Sequence, residues 1–133
     1  MDEQHLRSIE MFAALDKDKL RRIAQSADEI DVQAGKELLH EGDYAYEFMA
    51  IEEGEAEVTR GGEHVADLGP GDVLGEIAAL ERGRRNASVV ARSPMRLAVM
   101  TAYDMRSLAA SIPEFEQSLR AAAGERHPVA QCA

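Results

Sequence analysis

The chain has 133 residues, 45% of them hydrophobic, and a formal net charge of −10 at pH 7. That length suits one domain with its own core, and the charge disfavours nucleic-acid and anionic-membrane partners, because both attract basic surfaces. The only cysteine, Cys132, excludes an internal disulfide, and neither a secretory signal nor an apolar run long enough to span a membrane is present, so we expect a cytoplasmic protein.

The amino-terminal segment is predicted to be helical. From Leu6 to Ala27, apolar residues recur at intervals of three and four, which is the period of a helix with one buried face. A break around Ala14–Asp16 separates two helices. Asp16 is a suitable N-cap for the second helix, Lys17 to Ala27, because its carboxylate can accept a hydrogen bond from the first turn.

The middle of the chain is predicted to consist of short strands. Nine of the ten glycines fall between Gly35 and Gly83, which suits tight turns between strands. Gly61-Gly62 predicts a two-residue hairpin. The expected strands are Ile30–Gln33, Glu37–His40, Glu47–Ile51, Glu55–Arg60, Glu63–Leu68, Asn86–Ala91 and Met95–Met100. This strand spacing favours an all-β sandwich or roll.

Helical periodicity returns after Thr101. A last helix is expected to open at Pro113 and to end at Gly124. We therefore predict one domain over residues 1–125, built as helices, β-roll and helix pair, followed by a flexible tail over residues 126–133.

The segment from Gly71 to Val89 carries the residues with the clearest chemistry. Glu76 to Leu80 is predicted to form one helical turn inside the β region, and the free N–H groups at the start of such a turn can bind an anion. Gly75 would allow a ligand to approach the backbone closely. The guanidinium of Arg85 suits a bidentate grip on phosphate, and Glu76 can accept a hydrogen bond from a hydroxyl. Together these groups fit a sugar phosphate.

These residues resemble the phosphate-binding cassette of the cyclic-nucleotide-binding family. The matching pattern is Gly75-Glu76-Ile77-Ala78, with Arg85-Asn86-Ala87-Ser88-Val89 beginning seven positions after Ala78. Glycine turns elsewhere also match, at Gly35, His40–Asp43, Glu53–Glu55 and Leu68–Asp72. The resemblance implies a mainly β fold with flanking helices: a double-stranded β-helix, or jelly-roll and cupin-like β-roll, with amino-terminal helices, a short phosphate-binding helix and two carboxy-terminal helices.

The resemblance also implies a role for each residue of the cassette. The implied ligand-binding residues are Gly75, Glu76, Ile77, Ala78, Arg85, Asn86 and Ala87. Glu76 would accept the ribose 2′-hydroxyl, with a backbone contact from Gly75, and Arg85 would pair with the cyclic phosphate. Backbone N–H groups of the remaining four would complete the phosphate cradle. Asn86 can donate and accept hydrogen bonds, so it does not separate cAMP from cGMP; we favour cAMP.

An anionic ligand would need a region of local positive charge in a chain with so many acidic residues. It is expected from four arginines: Arg82, Arg84, Arg85 and Arg92. The alternative interpretation is that Glu76 and Arg85 form a structural salt bridge in a β-roll that binds nothing. The chain would then be a ligand-free interaction module.

The expected function is that of a sensor that binds a cyclic nucleotide and acts through its carboxy-terminal helices on a protein partner or in a homodimer. Phe115, Leu119 and Arg120 are candidates for a lid over the base. We expect no catalytic residue, because no serine lies in a nucleophile context. We expect no metal or catalytic cofactor either, because the four histidines lack the spacing of metal ligands.

Overall fold

Two helical segments flank a β region in the computed structural model, which describes residues 1–75 and 83–125. The helices are α1 (Glu3–Arg7), a short 3₁₀ helix η1 (Glu10–Phe12), α2 (Lys17–Ser26), α3 (Ala102–Ser111) and α4 (Pro113–Glu125). The strands are β1 (Asp28–Val32), β2 (Glu37–Leu39), β3 (Glu47–Glu53), β4 (Ala56–Arg60), β5 (Glu63–Leu68), β6 (Val73–Leu74), β7 (Ser88–Ala91) and β8 (Met95–Thr101).

The strands form two antiparallel sheets of four. The first has the order β1-β8-β3-β6 and the second has the order β2-β7-β4-β5. Of the described strands, β4 and β5 alone are consecutive in the chain and neighbours in one sheet; elsewhere the chain passes from one sheet to the other. The sheets therefore wind into a β-roll that does not close as a barrel, which confirms the predicted fold class.

The hairpin between β4 and β5 confirms the prediction made from its two glycines. Arg60 and Glu63 are register partners, so Gly61 and Gly62 alone make the turn. Both have positive φ, 60° and 84°, the conformation that a type I′ turn requires and that glycine adopts without strain.

Two cores hold the domain together, one on each face of the first sheet. Leu97 and Val99 of β8 lie in the core between the two sheets, whereas Ala98 and Met100 pack against the helices. Because successive strand residues point to opposite faces, this strand is apolar on both. The helix-side core includes the three phenylalanines, Phe12, Phe48 and Phe115.

The helix boundaries follow the predicted signals closely. Asp16 caps α2 by accepting a hydrogen bond from the backbone N–H of Lys19 at 3.0 Å, as expected. The segment ahead of it forms α1 and η1. The sequence prediction missed β6, because two residues, Val73 and Leu74, are too short for an alternating pattern.

Among the described helices, none has both the length and the apolar character that crossing a membrane requires.

Candidate ligand-binding site

The backbone on either side of Arg85 is bonded to the turn between β2 and β3. Arg85 donates its N–H to the carbonyl of Asp43 at 2.7 Å and accepts at its own carbonyl from the N–H of Gly42 at 2.8 Å. The N–H of Ala45 reaches the carbonyl of Gly83 at 3.1 Å. These bonds hold the start of the Arg85 side chain in place within the fold.

The Arg85 side chain points into the protein and is only 4% exposed. Its Nη1 donates to the carbonyl of Gly75 at 2.9 Å, and its Nη2 donates to the carbonyl of Glu47. Among the residues that the structure describes, no carboxylate forms a salt bridge with it. A guanidinium has five N–H donors, so these two carbonyls orient the group without neutralising its charge.

Burial lowers the pKa of Arg85, and the charges of Glu47 and Asp43 oppose that shift. The direction shows that withdrawal from water is the dominant effect on this cation. A buried cation whose direct partners are neutral carbonyls is stabilised by any anion that reaches it. The site therefore has the electrostatic character of an anion-binding site.

Gly75 lies against the Arg85 guanidinium. Its φ is +80°, and a Cβ added there would lie 2.5 Å from Nη1 of Arg85. The sequence suggested that this glycine leaves room for a ligand; in the structure the atoms that come closest belong to Arg85. The glycine thus sets the position of the group that would meet the ligand.

Replacing Gly75 with alanine is therefore expected to displace the Arg85 guanidinium and to weaken anion binding at least about tenfold, since one lost charge-assisted bond costs about 1.5–3 kcal/mol. Gly35→Ala is the matched control, because Gly35 has a φ of +92° with nothing within 4 Å of an added Cβ. Both variants carry similar backbone strain. Equal binding by the two variants, measured by calorimetric titration with cAMP, would contradict the assignment.

The remaining cassette residues divide into described and undescribed ones. Asn86 is exposed, and its carbonyl accepts a hydrogen bond from Nε of Arg60 at 3.0 Å. Ala87 is fully buried in the core between the sheets. Glu76, Ile77 and Ala78 lie outside the described residues, so their roles stay predictions.

Arg60 is a neighbour of the cassette that the sequence pattern did not predict. It lies on β4, 26 positions before Asn86, and no local pattern connects the two residues. Its contact with the Asn86 carbonyl adds a second guanidinium beside the cassette.

The local positive charge is smaller than the sequence suggested. Arg92 forms an ion pair with Glu57, which offsets its charge. Arg84 donates to the hydroxyl of Tyr44 at 2.8 Å and lies 4.4 Å from the centre of that ring. Arg82 is outside the described residues. Arg85 is thus the member of the expected group that is both buried and without a carboxylate partner in the described part of the chain.

A cavity of about 520 Å³ lies beside Arg85. Its described lining comes from the end of β2, the turn into β3, and the Arg84–Arg85 segment. That volume is within the range of small-ligand pockets, about 300–1,000 Å³. The lining holds both acidic and basic groups, which suits a ligand with hydroxyls as well as an anionic group.

Each of the three histidines that the structure describes contacts a glutamate. His40 contacts Glu37 at 3.1 Å, and His64 contacts Glu57 at 2.7 Å. A further cluster is formed by His5, Glu29 and Glu52. One atom of each that could coordinate a metal ion, a ring nitrogen or a carboxylate oxygen, lies within 4.8 Å of the others. Residue spacing could not predict this cluster, because its members come from α1, β1 and β3.

Comparison with known proteins places these features in a family. The family model described as "Cyclic nucleotide-binding domain" matches residues 29–111. The cAMP-dependent protein kinase regulatory subunit of Schizosaccharomyces pombe is 36% identical over 97 residues, which are 72% of this chain and 24% of that protein. The chain spans between about a fifth and a third of the length of the curated relatives it matches.

Two solved structures share the fold. The Thermus thermophilus catabolite activator protein superposes with a TM-score of 0.76 and 26% identity, covering 87% of this chain and 57% of that one. The regulatory domain of Toxoplasma gondii PKA, crystallised with cAMP, has a TM-score of 0.78 and 22% identity, covering 93% and 49%. Both likenesses extend over the helices as well as the sheets.

Proposed function

Because the chain belongs to the cyclic nucleotide-binding domain family, we propose that it is a sensor that binds cAMP at the cassette around Arg85. The observation that carries the proposal is the buried Arg85 guanidinium, held by two neutral carbonyls. An anionic cyclic phosphate supplies the negative charge that this group lacks among its described partners. The relationship to a cAMP-dependent kinase subunit supports cAMP over cGMP.

The proposed binding mode uses three kinds of group. Arg85 pairs with the cyclic phosphate through charge-assisted hydrogen bonds, which are stronger than neutral ones. Backbone N–H groups of Ile77, Ala78, Asn86 and Ala87 complete the phosphate contacts. Glu76 accepts the ribose 2′-hydroxyl, assisted by a backbone contact from Gly75. The acyclic nucleotide 5′-AMP would fit the same groups less well, because its phosphate carries a second negative charge and its 3′-oxygen is a free hydroxyl, and these differences change both charge and shape.

Ligand occupancy is proposed to reach a partner through α3 and α4. The rings of Phe115 on α4 and Phe12 on η1 are 5.8 Å apart between centroids, and Phe115 and Phe48 on β3 are 6.5 Å apart. This contact joins the last helix to the amino-terminal segment and to the first sheet. A ligand that favours one arrangement of this contact over another shifts the population of α4 positions.

Two of the three residues expected to form a lid over the base are buried inside the protein. Phe115 and Leu119 are fully buried in the helix-side core, because their spacing of four places them on the face of α4 that packs on the sheet. Arg120 is on the exposed side, where its Nε donates to Glu116 at 3.1 Å. In this arrangement Arg120 is the candidate left to contact a base, and the two apolar residues act through packing.

The sensor is proposed to work in the cytoplasm through a protein partner or as a homodimer, without catalysis of its own. The relatives include regulatory subunits of cAMP-dependent protein kinase, and the described site offers a buried cation suited to holding an anion. These features support binding over turnover.

The deciding experiment is calorimetric titration of the intact chain with cAMP, cGMP and 5′-AMP. We expect cAMP to bind with a Kd of about 1 µM or tighter, which corresponds to about −8 kcal/mol, and 5′-AMP to bind far more weakly. Absence of heat with both cyclic nucleotides would reject the proposal. It would support the second candidate function, a ligand-free interaction module on the same β-roll.

A further inference from the structure

Three titratable side chains from different elements meet under the first helix. His5 on α1 contacts Glu29 on β1, with Nδ1 2.9 Å from a carboxylate oxygen. Glu52 on β3 joins them, and one ligand-type atom of each residue lies within 4.8 Å of the others. The cluster therefore links α1 to two strands of the first sheet.

Glu52 occupies an irregular position in its strand. The pairing of β3 with β8 shifts register between Ile51, which faces Leu97, and Glu53, which faces Arg96. Two residues of β3 thus stand opposite one residue of β8, which is the count of a β-bulge, and such bulges turn a side chain away from the regular pattern. Oε2 of Glu52 is withdrawn from solvent and has no hydrogen-bond partner among the described residues.

A single proton on Glu52 lets the two neighbouring carboxyl groups form a hydrogen bond instead of repelling each other. Burial and the neighbouring Glu29 raise the pKa of Glu52 to about 7, and His5 and Arg96 act weakly in the opposite direction. The hydrogen bond from Glu52, followed by that from His5, lowers the pKa of Glu29. Protonated Glu52 therefore donates to an ionised Glu29, and Glu29 in turn accepts from His5.

The other charges near the pair do not replace that proton. The charge of Arg96 on β8 lowers the pKa of both carboxyl groups slightly, but its Nε donates a hydrogen bond to Asp31 of β1 at 3.0 Å and Glu53 of β3 also acts on it. From α1, His5 is the group that contacts the pair. The described surroundings thus hold more carboxylates than cations, and loss of the proton leaves Glu29 and Glu52 in mutual repulsion.

We propose that His5, Glu29 and Glu52 form a pH-sensitive latch that holds α1 on the first sheet. The latch is closed while Glu52 is protonated and loosens when Glu52 ionises. The pKa of Glu52 is higher in the folded protein than in the unfolded chain. Its stabilising contribution is therefore complete below about pH 4.5 and is lost as the pH rises through about 7.

The latch loosens α1 without releasing it. Leu6 remains buried in the helix-side core, and the amino group of Met1 donates to the carbonyls of Ala24 and Ala27, each at 3.0 Å. Since η1 follows α1 and packs on α4 through Phe12 and Phe115, a loosened α1 alters the support of the last helix. This inference is independent of the ligand proposed above.

The test is an NMR titration of the intact chain together with amide hydrogen exchange in α1. We expect the side-chain carboxyl carbon of Glu52 to titrate with a midpoint near 7. We expect α1 amides such as Leu6, which bonds the carbonyl of Asp2, to lose about tenfold in protection between pH 6 and pH 8.5, after correction for intrinsic exchange. A tenfold change corresponds to one pKa unit of coupling, less than the full shift of Glu52.

Glu52→Gln is the decisive variant, because its amide keeps a donor to Glu29 at every pH. Its α1 protection should stay constant across this range. Glu53→Gln, at the exposed neighbouring position, should behave as the wild-type protein does. A Glu52 midpoint below about 5.5, or the same pH dependence in Glu52→Gln as in the wild type, would overturn the proposal. The wild-type midpoint decides the matter if the glutamine variant does not fold.

Discussion

Arg85→Ala is expected to weaken cAMP binding at least about 100-fold. Arg85 is proposed to make two charge-assisted hydrogen bonds to the cyclic phosphate, each contributing about 1.5–3 kcal/mol. Their sum, about 3–6 kcal/mol, corresponds to two decades or more in Kd. Alanine also leaves the carbonyls of Gly75 and Glu47 without the donors they have now. Calorimetric titration of both proteins at one ionic strength measures the difference.

Two further variants separate the role of the guanidinium from that of net charge. Arg21→Ala removes one positive charge from the exposed face of α2, where Arg21 lies 3.8 Å from Glu3, and should bind as the wild type does. Arg85→Lys keeps the charge but not the planar fork, so it should recover only part of the affinity. If Arg85→Ala folds with normal stability and still binds cAMP within threefold of the wild type, the site is elsewhere.

Phe115→Ala is expected to lower the free energy of unfolding by about 3–5 kcal/mol, the usual cost of removing a buried aromatic ring. Phe115 has no exposed surface, and its ring lies within 6.5 Å of the rings of Phe12 and Phe48. It therefore joins α4, η1 and β3 in one cluster. Since small domains have a total stability of about 5–15 kcal/mol, this loss is a large share of it.

Urea unfolding followed by circular dichroism measures this change, and Tyr103→Ala is the control. Tyr103 is an aromatic residue of α3 that is 74% exposed, so its removal should alter stability by less than about 0.5 kcal/mol. A loss below about 1 kcal/mol in Phe115→Ala would show that the helical layer does not depend on this ring. It would also remove the physical basis for signalling through the Phe115 contact.

Much of the fold could be predicted because its signals are local. The turn at Gly61-Gly62 needs two residues with positive φ, and the start of α2 needs one carboxylate at Asp16. Such features depend on residues within a few positions of one another, so a short stretch of sequence contains every residue that they need. Family resemblance supplied the remaining step, from a set of short strands to a β-roll.

The candidate site was predictable in part. Gly75 and Arg85 stand out in the sequence as a cassette, and the structure brings them into contact. Glu76, the third residue of the predicted site, is not among the described residues, so its role stays a prediction. The expected help from Arg92 is offset by Glu57, a partner 35 positions away that no local pattern indicates.

By itself, the sequence determined most of the helices and strands and the main turns, because each is written in neighbouring residues, while the cassette stays a prediction that the family resemblance implies. Only the tertiary structure decided which partners the charged groups receive. Arg85 is oriented by carbonyls 10 and 38 positions away, and Glu52 meets Glu29 and His5 through three separate elements. The physical reason is that charge and burial act through space, so the fold must first bring distant residues together before their chemistry is set.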